Sequence, residues 1–315
     1  MHALAYRAAG VRVAGVFDPN PIQARALASL SGARVAPTAD ALFAMDAELA
    51  SVCSPPPFHA CQAESASRPH RTVFVEKPLA ISAGELEVLA TLTRCVPVLQ
   101  WRSGRALLAV RAAILSGEFG AAPSVCGDLA WSRDDTYLAA GRASRREWGC
   151  GVLLSVGIHA VDALCFALAQ PLGRATGSLG YRPGVEVETS AVLTMAFDGG
   201  TVACLRATFD APADATRLSF TGGGTAAVIE GTEVDPTAAN VAWTASSVAK
   251  LRSLQALESQ CPGARHPPLL VSFLHAAIDA VKRGALPGDC DALPSIASAR
   301  AAHHAVFDAY AEAGR

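Results

Sequence analysis

Along the N-terminal third of the chain, short apolar runs alternate with stretches of helical period. VRVAGVF (11–17), LASVC (49–53), TVFV (72–75) and VPVL (96–99) are each short and almost continuously apolar, as strands of a parallel sheet covered on both faces must be. The segments between them read as helices, beginning with residues 2–9, and several have legible starts. Asn20 can cap a helix opened by Pro21, Thr38 can cap TADALFAM, and Ser82 to Glu85 has the spacing of a capping box. This alternation predicts a doubly wound α/β domain over residues 1–98.

After Trp101 the pattern changes. One more helix, ALLAVRAAILSGEFG, stops at Gly117 to Gly120, and a long helix follows REWGCG at 146–151. Period-2 stretches come next, AVLTMAFDGGTVACLRATF (191–209) and LSFTGGGTAAVIEG (218–231), broken at glycine pairs that suit hairpin turns. They predict a second, α+β domain over 99–315 built on a large, open, mainly antiparallel sheet. Residues 236–267 carry no regular pattern, and helices near 269–283 and 294–313 close the chain, the last able to pack back on the first domain.

Composition narrows the classes of function. A chain of 315 residues with 51% hydrophobic residues and a formal net charge of −2 can bury two ordinary cores. It offers no basic field for nucleic acid. No run approaches the ~18 uninterrupted apolar residues of a membrane span, and the N-terminus lacks a signal-peptide layout, so the expected location is the cytoplasm. The nine cysteines are scattered, never spaced as CxxC, and are expected mainly as small core residues. No spacing of ligand residues supports a metal.

Three segments carry chemistry. VFVEKPLA (73–80) is a buried strand that delivers Glu76, Lys77 and Pro78 at its carboxyl end, where open α/β sheets hold ligands. The chain has only three lysines, Lys77, Lys250 and Lys282, and one stands there. SPPPFH (54–59) follows the end of another strand, and WGCGVLLSVGIHAVD (148–162) places Ser155, His159 and Asp162 at i, i+4 and i+7, on one face of a regular helix. Each residue also has a plainer reading: Lys77 as a surface lysine, His59 as a helix start, Asp18 as a turn residue in DPNP. Asp162 could serve only as an orienting group.

The order of these segments resembles the glucose-fructose oxidoreductase/inositol dehydrogenase (Gfo/Idh/MocA) family from residue 2 to the C-terminus: Asp18 at a strand end, S-P-P-P-x-x-H, E-K-P, Q-W-R at 100–102, then G-C-G leading into G-I-H-A-V-D. The resemblance implies a Rossmann domain that binds NAD or NADP and a second domain used for oligomerisation, giving a homodimer or homotetramer through the open sheet. It implies hydride transfer between nicotinamide and a carbon bearing oxygen on a small, sugar-like or cyclitol-like substrate. Hydride transfer to a ketone builds charge on oxygen, which a nearby cation stabilises and can protonate. Lys77 is expected in that role, with Glu76 positioning it or the nicotinamide and a cis Lys77–Pro78 bond. His159 is expected to bind substrate hydroxyls or relay the proton. Asp18 would accept from the ribose hydroxyls, favouring NAD over NADP, with Ser54, Pro55 and His59 along the cofactor. Tyr137, Arg142, Ser155 and Asp162 are expected to line the substrate pocket.

Two departures qualify the likeness. Ser155 stands where the family has an aspartate, and a serine cannot share a proton with His159 as a carboxylate does. The family also opens with a strand and a G-x-G-x-x-G turn whose amides hold the pyrophosphate, and this sequence has neither ahead of its first helix. In sheet order 3-2-1-4-5-6 that strand is central, so strands 11–17 and 49–53 should face a gap. A start placed too late is the leading expectation. The alternatives are a pseudoenzyme or redox-neutral relative that has lost dinucleotide binding, and completion of the sheet by a partner's strand. Among weaker features, TGGGT (221–225) reads as a hairpin turn, GDCDALP (288–294) as a loop, and His303 and His304 as surface residues.

Overall fold

The computed structural model describes residues 1–139, 145–231 and 269–314, with the backbone alone of Ala242, Trp243 and Leu269. Its contacts divide the chain into one unit of Met1–Gln100 with Pro268–Arg300 and a second of Trp101–Pro267 with Ala301–Arg315. Residues 268–300 therefore belong with the first unit, where the sequence pattern had placed everything after 98 in the second.

In the first unit, helix α1 (His2–Ala8) leads to β1 (Gly15–Val16), α2 (Pro21–Ser31), β2 (Arg34–Val35), α3 (Ala39–Phe43), β3 (Leu49–Val52), α4 (His59–Ala66), β4 (Thr72–Val75), α5 (Ala83–Ala90) and β5 (Cys95–Pro97). The caps act as the sequence suggests: Asn20 accepts from the amide of Ile22, Thr38 from Ala41 and Ser82 from Glu85. The Glu85 carboxylate reaches back to the amide of Ile81, and each such cap is worth about 1 kcal/mol. The strands are parallel throughout, but they form two sheets, β1-β2 and β3-β4-β5. No ladder joins β1 to β3, which explains why only Gly15 and Val16 of the predicted 11–17 strand are paired. Central β4 is buried along its whole length, while β3, with one edge unpaired, is only partly covered. On one face, Phe74, Val96 and Val98 pack with Ala5 and Tyr6 of α1 and with Phe273, Leu274, Ala277 and Ile278 of α9 (Leu269–Lys282). Helix α9 thus completes the core of this unit.

The second unit contains α6 (Arg105–Leu115), β6 (Ser124–Ala130), α7 (Asp135–Ala139), α8 (Ile158–Leu168), β7 (Leu172–Gly180), β8 (Ser190–Phe197), β9 (Val202–Thr208), β10 (Ala215–Gly222), β11 (Thr225–Gly231) and β12 (Ala242–Trp243). The strands form one sheet ordered β12-β11-β10-β6-β9-β8-β7. All neighbours are antiparallel except β6 and β9. Gly223 and Gly224, both with positive φ, close the two-residue turn between β10 and β11, as a primed hairpin turn requires. Side chains alternate across the sheet. Leu193, Met195, Leu205, Leu218 and Phe220 are buried on the inner face, while Val192 and Val202 stand 44% and 53% exposed on the other. Helix α8 lies on the inner face over Gly127, where an added Cβ would come within 2.8 Å of Leu205. The last helix, α10, runs from Ile296 to Glu312.

Two expectations fail here. Of the eight cysteines described, only Cys95 and Cys165 are buried; Cys53, Cys61, Cys126 and Cys290 are exposed, because they lie on outward strand positions, helix surfaces and loops. His303 is fully buried, with its ring edge-on to Phe307, since α10 turns that side inward. Among the described residues, Arg146–Leu168 is long and apolar enough to cross a membrane by length and composition, and 89% of its apolar window is buried inside the protein. Asp162 interrupts the stretch, and burial of that extent is what a core helix shows.

Candidate active site

The carboxyl ends of β3 and β4 lie side by side because Ser51 pairs with Phe74 and Val52 with Val75. Glu76 extends that ladder by donating its amide to Val52 O at 3.0 Å. Its carboxylate is then held on both oxygens: Oε1 lies 3.0 Å from Nε2 of His2, and Oε2 accepts the backbone N–H of Lys77 at 3.1 Å. The other ring nitrogen of His2 is 2.8 Å from Ser51 Oγ, which is 2.5 Å from the hydroxyl of Tyr6. Burial alone would keep His2 neutral, but hydrogen bonds and charge from Cys53 and Glu76 more than offset it, pushing the imidazole up to about 9. Burial likewise works against the ionised Glu76, and His2 followed by Lys77 outweighs it, holding the carboxyl below its usual range. Lys77 is half-buried, and the Lys77–Pro78 bond is cis.

His59 is 1% exposed. Its Nε2 lies 2.7 Å from Ser54 O and its Nδ1 2.8 Å from Pro78 O, so it ties the loop after β3 to the loop after β4. Burial pushes its pKa down despite those carbonyls. Each ring nitrogen faces a backbone carbonyl, and the one that carries the proton of the neutral ring donates to it, so His59 braces the two loops beside the expected cofactor path. Pro55 leads into the short turn Pro56–Phe58, and Ser54 Oγ is buried with no hydrogen-bond partner. Asp18 lies just past β1, where Oδ1 accepts the amide of Asn20 at 2.8 Å in a local turn.

In the second unit, a π-helical turn, Leu153–Gly157, runs directly into α8. It is seated by Glu188, whose Oε1 accepts the amide of Leu153 at 3.1 Å and the hydroxyl of Tyr310 at 2.6 Å. The π turn carries more residues than an α turn, so Ser155 is followed by His159 and Asp162 across a change of helical period. Ser155 donates its hydroxyl back to Gly151 O at 2.7 Å. His159 is 5% exposed and stacks on Trp101 with ring centroids 5.2 Å apart and planes 14° from parallel. Both oxygens of Asp162, itself 1% exposed, are taken by Arg102. Asp162 thus has both oxygens engaged, the arrangement of an orienting group. Tyr137 is 42% exposed on α7, with the Arg133 guanidinium 5.0 Å from its ring. Arg142 lies outside the described residues.

His2, Ser51, Tyr6, Trp101 and Arg102 were not singled out by sequence reasoning as working side chains, although Q-W-R was visible as a motif. Histidine and glutamate separated by 74 positions give no local signal. A buried residue next to an aromatic in Q-W-R is the one clue that could have pointed to Arg102.

Comparison with known proteins places these residues in a family. Residues 1–99 match the oxidoreductase family with an NAD-binding Rossmann fold, and residues 107–232 match the GFO/IDH/MocA C-terminal domain. A putative UDP-kanosamine synthase oxidoreductase subunit of Amycolatopsis mediterranei (strain S699) is 29% identical over 170 residues, which is 51% of this chain and 45% of that protein. The aligned part thus spans less than half the length of that relative. The WlbA dehydrogenase of Bordetella pertussis, solved with NADH and UDP-GlcNAcA, superposes with a TM-score of 0.82 at 20% identity over 99% of this chain and 92% of that one. Levoglucosan dehydrogenase in complex with NADH gives 0.80 at 16% identity over 99% and 94%.

Proposed function

Because the chain belongs to the GFO/IDH/MocA family of oxidoreductases, we propose that it is an NAD(P)-dependent dehydrogenase or reductase acting at a carbinol or ketone carbon of a sugar-like or cyclitol-like substrate. The observation that carries this reading is the placement of Glu76, Lys77 and Pro78 at the carboxyl end of fully buried β4, with the carboxylate fixed by His2.

The fit to a dinucleotide is partial. At the ribose end, Asp18 uses one oxygen in its own turn and leaves Oδ2 for a ligand hydroxyl, which favours NAD because a 2′-phosphate would meet a carboxylate. At the nicotinamide end, the orphaned hydroxyl of Ser54 suits a ligand polar atom, since a buried group without a partner costs about 1–3 kcal/mol. No G-x-G-x-x-G occurs in this sequence, so no residue here is assigned to the pyrophosphate. A bound nicotinamide supplies or accepts the hydride.

The chain's own groups do the rest. Lys77 stabilises the developing alkoxide and gives or takes its proton, while Glu76 and His59 fix the loops on either side of it. His159, held flat against Trp101, binds substrate hydroxyls. Asp162 acts through Arg102 to seat helix α8. Ser155, engaged with Gly151 O, does not replace an aspartate as proton partner of His159, which favours the lysine over a carboxylate–histidine pair as the proton-handling group. Tyr137 and Arg142 are assigned to the substrate side. A homodimer or homotetramer forms through the open face of the sheet. The relatives solved with sugars and UDP-sugars suggest nucleotide sugars as the first substrate class to try.

Turnover of NAD with a panel of UDP-sugars and free sugars tests this, comparing the parent with Lys77→Ala and Lys77→Arg. Loss of roughly 100-fold or more in kcat for Lys77→Ala is expected from removal of a general acid–base group; turnover within a few-fold of the parent overturns the assignment. The second reading, a cofactor-free relative, predicts no NAD-dependent turnover by the parent at all.

A further inference from the structure

Three elements of the first unit converge on one imidazole. His2 comes from α1, Ser51 from β3 and Glu76 from the end of β4, and the contacts are 2.8 Å to Ser51 Oγ and 3.0 Å to Glu76 Oε1. The ring is held at both nitrogens, and Tyr6 pins the serine from one turn further along the helix. The consequence lies on the other side of the carboxylate. Glu76 Oε2 accepts the backbone N–H of Lys77, so a carboxylate gripped by His2 fixes the main chain from which the lysine departs. A lysine side chain has a flexible four-carbon stem, and its ammonium can be aimed reproducibly only if its backbone is fixed.

We infer that His2 is a positioning residue for the Lys77 site: it grips Glu76 from α1 while the other oxygen of that carboxylate holds the Lys77 backbone. With both oxygens engaged, Glu76 cannot swing away to another partner. Removing the imidazole frees Oε1, and the carboxylate and the Lys77 backbone relax together. The inference rests on Lys77 being the group that matters in the proposed function.

The chain has three lysines, Lys77, Lys250 and Lys282, so reductive methylation with ¹³C-formaldehyde yields a spectrum with one dimethylamine signal each, assigned by single Lys→Arg variants. Lys282 supplies an internal control. Its Nζ donates to Ala9 O at 2.5 Å, just past the end of α1, so its signal reports whether α1 remains docked. The expected result is that His2→Ala moves the Lys77 signal by more than its linewidth and leaves the Lys282 signal in place. His2→Gln, whose amide can still donate to Glu76, returns the Lys77 signal toward the parent position. An unmoved Lys77 signal in His2→Ala overturns the inference, and so does a joint shift of Lys77 and Lys282, which marks a role confined to docking the helix. The readout needs no cofactor or turnover. If the signals behave as expected while Lys77→Ala turns over normally, His2 is confirmed as holding Lys77 and the proposed proton role of that lysine is what fails.

Discussion

Arg102 closes on Asp162 through two hydrogen bonds, Nε to Oδ2 at 2.9 Å and Nη2 to Oδ1 at 2.5 Å, with both side chains almost completely buried. The guanidinium also lies 5.2 Å from the centroid of Phe166, one turn further along α8. This pair anchors the helix that carries His159. Breaking a buried pair leaves a charge without compensation and costs about 3–5 kcal/mol. Asp162→Ala is therefore expected to lower stability by that amount in chemical denaturation. Replacing both partners, as in Arg102→Met with Asp162→Leu, should recover much of the loss; a double variant as unstable as the single one contradicts the account.

Gly151 is demanded by Glu188. A Cβ at 151 would sit 2.0 Å from Glu188 Oε1, and Glu188 cannot retreat without dropping the amide of Leu153 and the hydroxyl of Tyr310. Gly151→Ala is expected to cost about 2 kcal/mol or more, in the range for overpacking and loss of a buried hydrogen bond. A thermal melt of the variant checks it. A companion variant, Tyr310→Phe, removes one donor only and should cost about 1 kcal/mol.

His59 gives a pH dependence of known sign. Its folded pKa lies below the ordinary value of 6.5 because burial disfavours the charged ring. The unfolded chain therefore takes up the proton first, and the stability due to a neutral His59 is present above pH 6.5 and lost as the pH falls through the folded value. Stability measured from pH 7 to pH 5 should fall more steeply in the parent than in His59→Gln. Equal slopes would mean that His59 does not titrate differently on folding.

His2 and Glu76 have the complementary dependence. His2, raised to about 9, contributes stability that is complete below its unfolded pKa and lost as the pH rises through about 9. Glu76, lowered, contributes stability present above its unfolded pKa and lost as the pH falls. The penalty of His2→Ala, on the order of 2 kcal/mol, should therefore be largest between about pH 5 and 6.5 and shrink toward pH 9. A penalty independent of pH across that range would show that the ion pair contributes nothing.

The proposed homodimer or homotetramer uses the outer face of the second-unit sheet. Val192 and Val202 project from β8 and β9 at 44% and 53% exposure. A joint Val192→Glu and Val202→Glu variant, which places like charges on that face, is expected to convert the proposed oligomer to monomer in light scattering. Unchanged mass moves the interface elsewhere.

Local signals read well in this chain. Asn20, Thr38 and Ser82 cap the helices they precede, and the glycines at 223 and 224 make the hairpin turn, because each of those effects involves neighbours within a few residues. The gap between β1 and β3 was legible for a different reason: the strand order that the family resemblance implies puts another strand between them. What escaped depended on distant partners. Helix α9 joins the first unit through Phe74, Val96 and Val98, and His303 faces inward on a helix whose sequence looks ordinary. The π turn at Leu153–Gly157 is held by Glu188 from another segment, so it left no local signal in the sequence. Asp162 was singled out by its spacing from His159, while its pairing with Arg102, 60 positions away, left no local signal.

The central claim is that this chain works on a dinucleotide, and calorimetric titration with NADH and with NADPH tests it most directly. The account predicts saturable binding of NADH with a raised melting temperature, weaker binding of NADPH, and a narrowed preference in Asp18→Ala. No heat of binding and no change in melting temperature with either dinucleotide would contradict it, and would favour the cofactor-free relative.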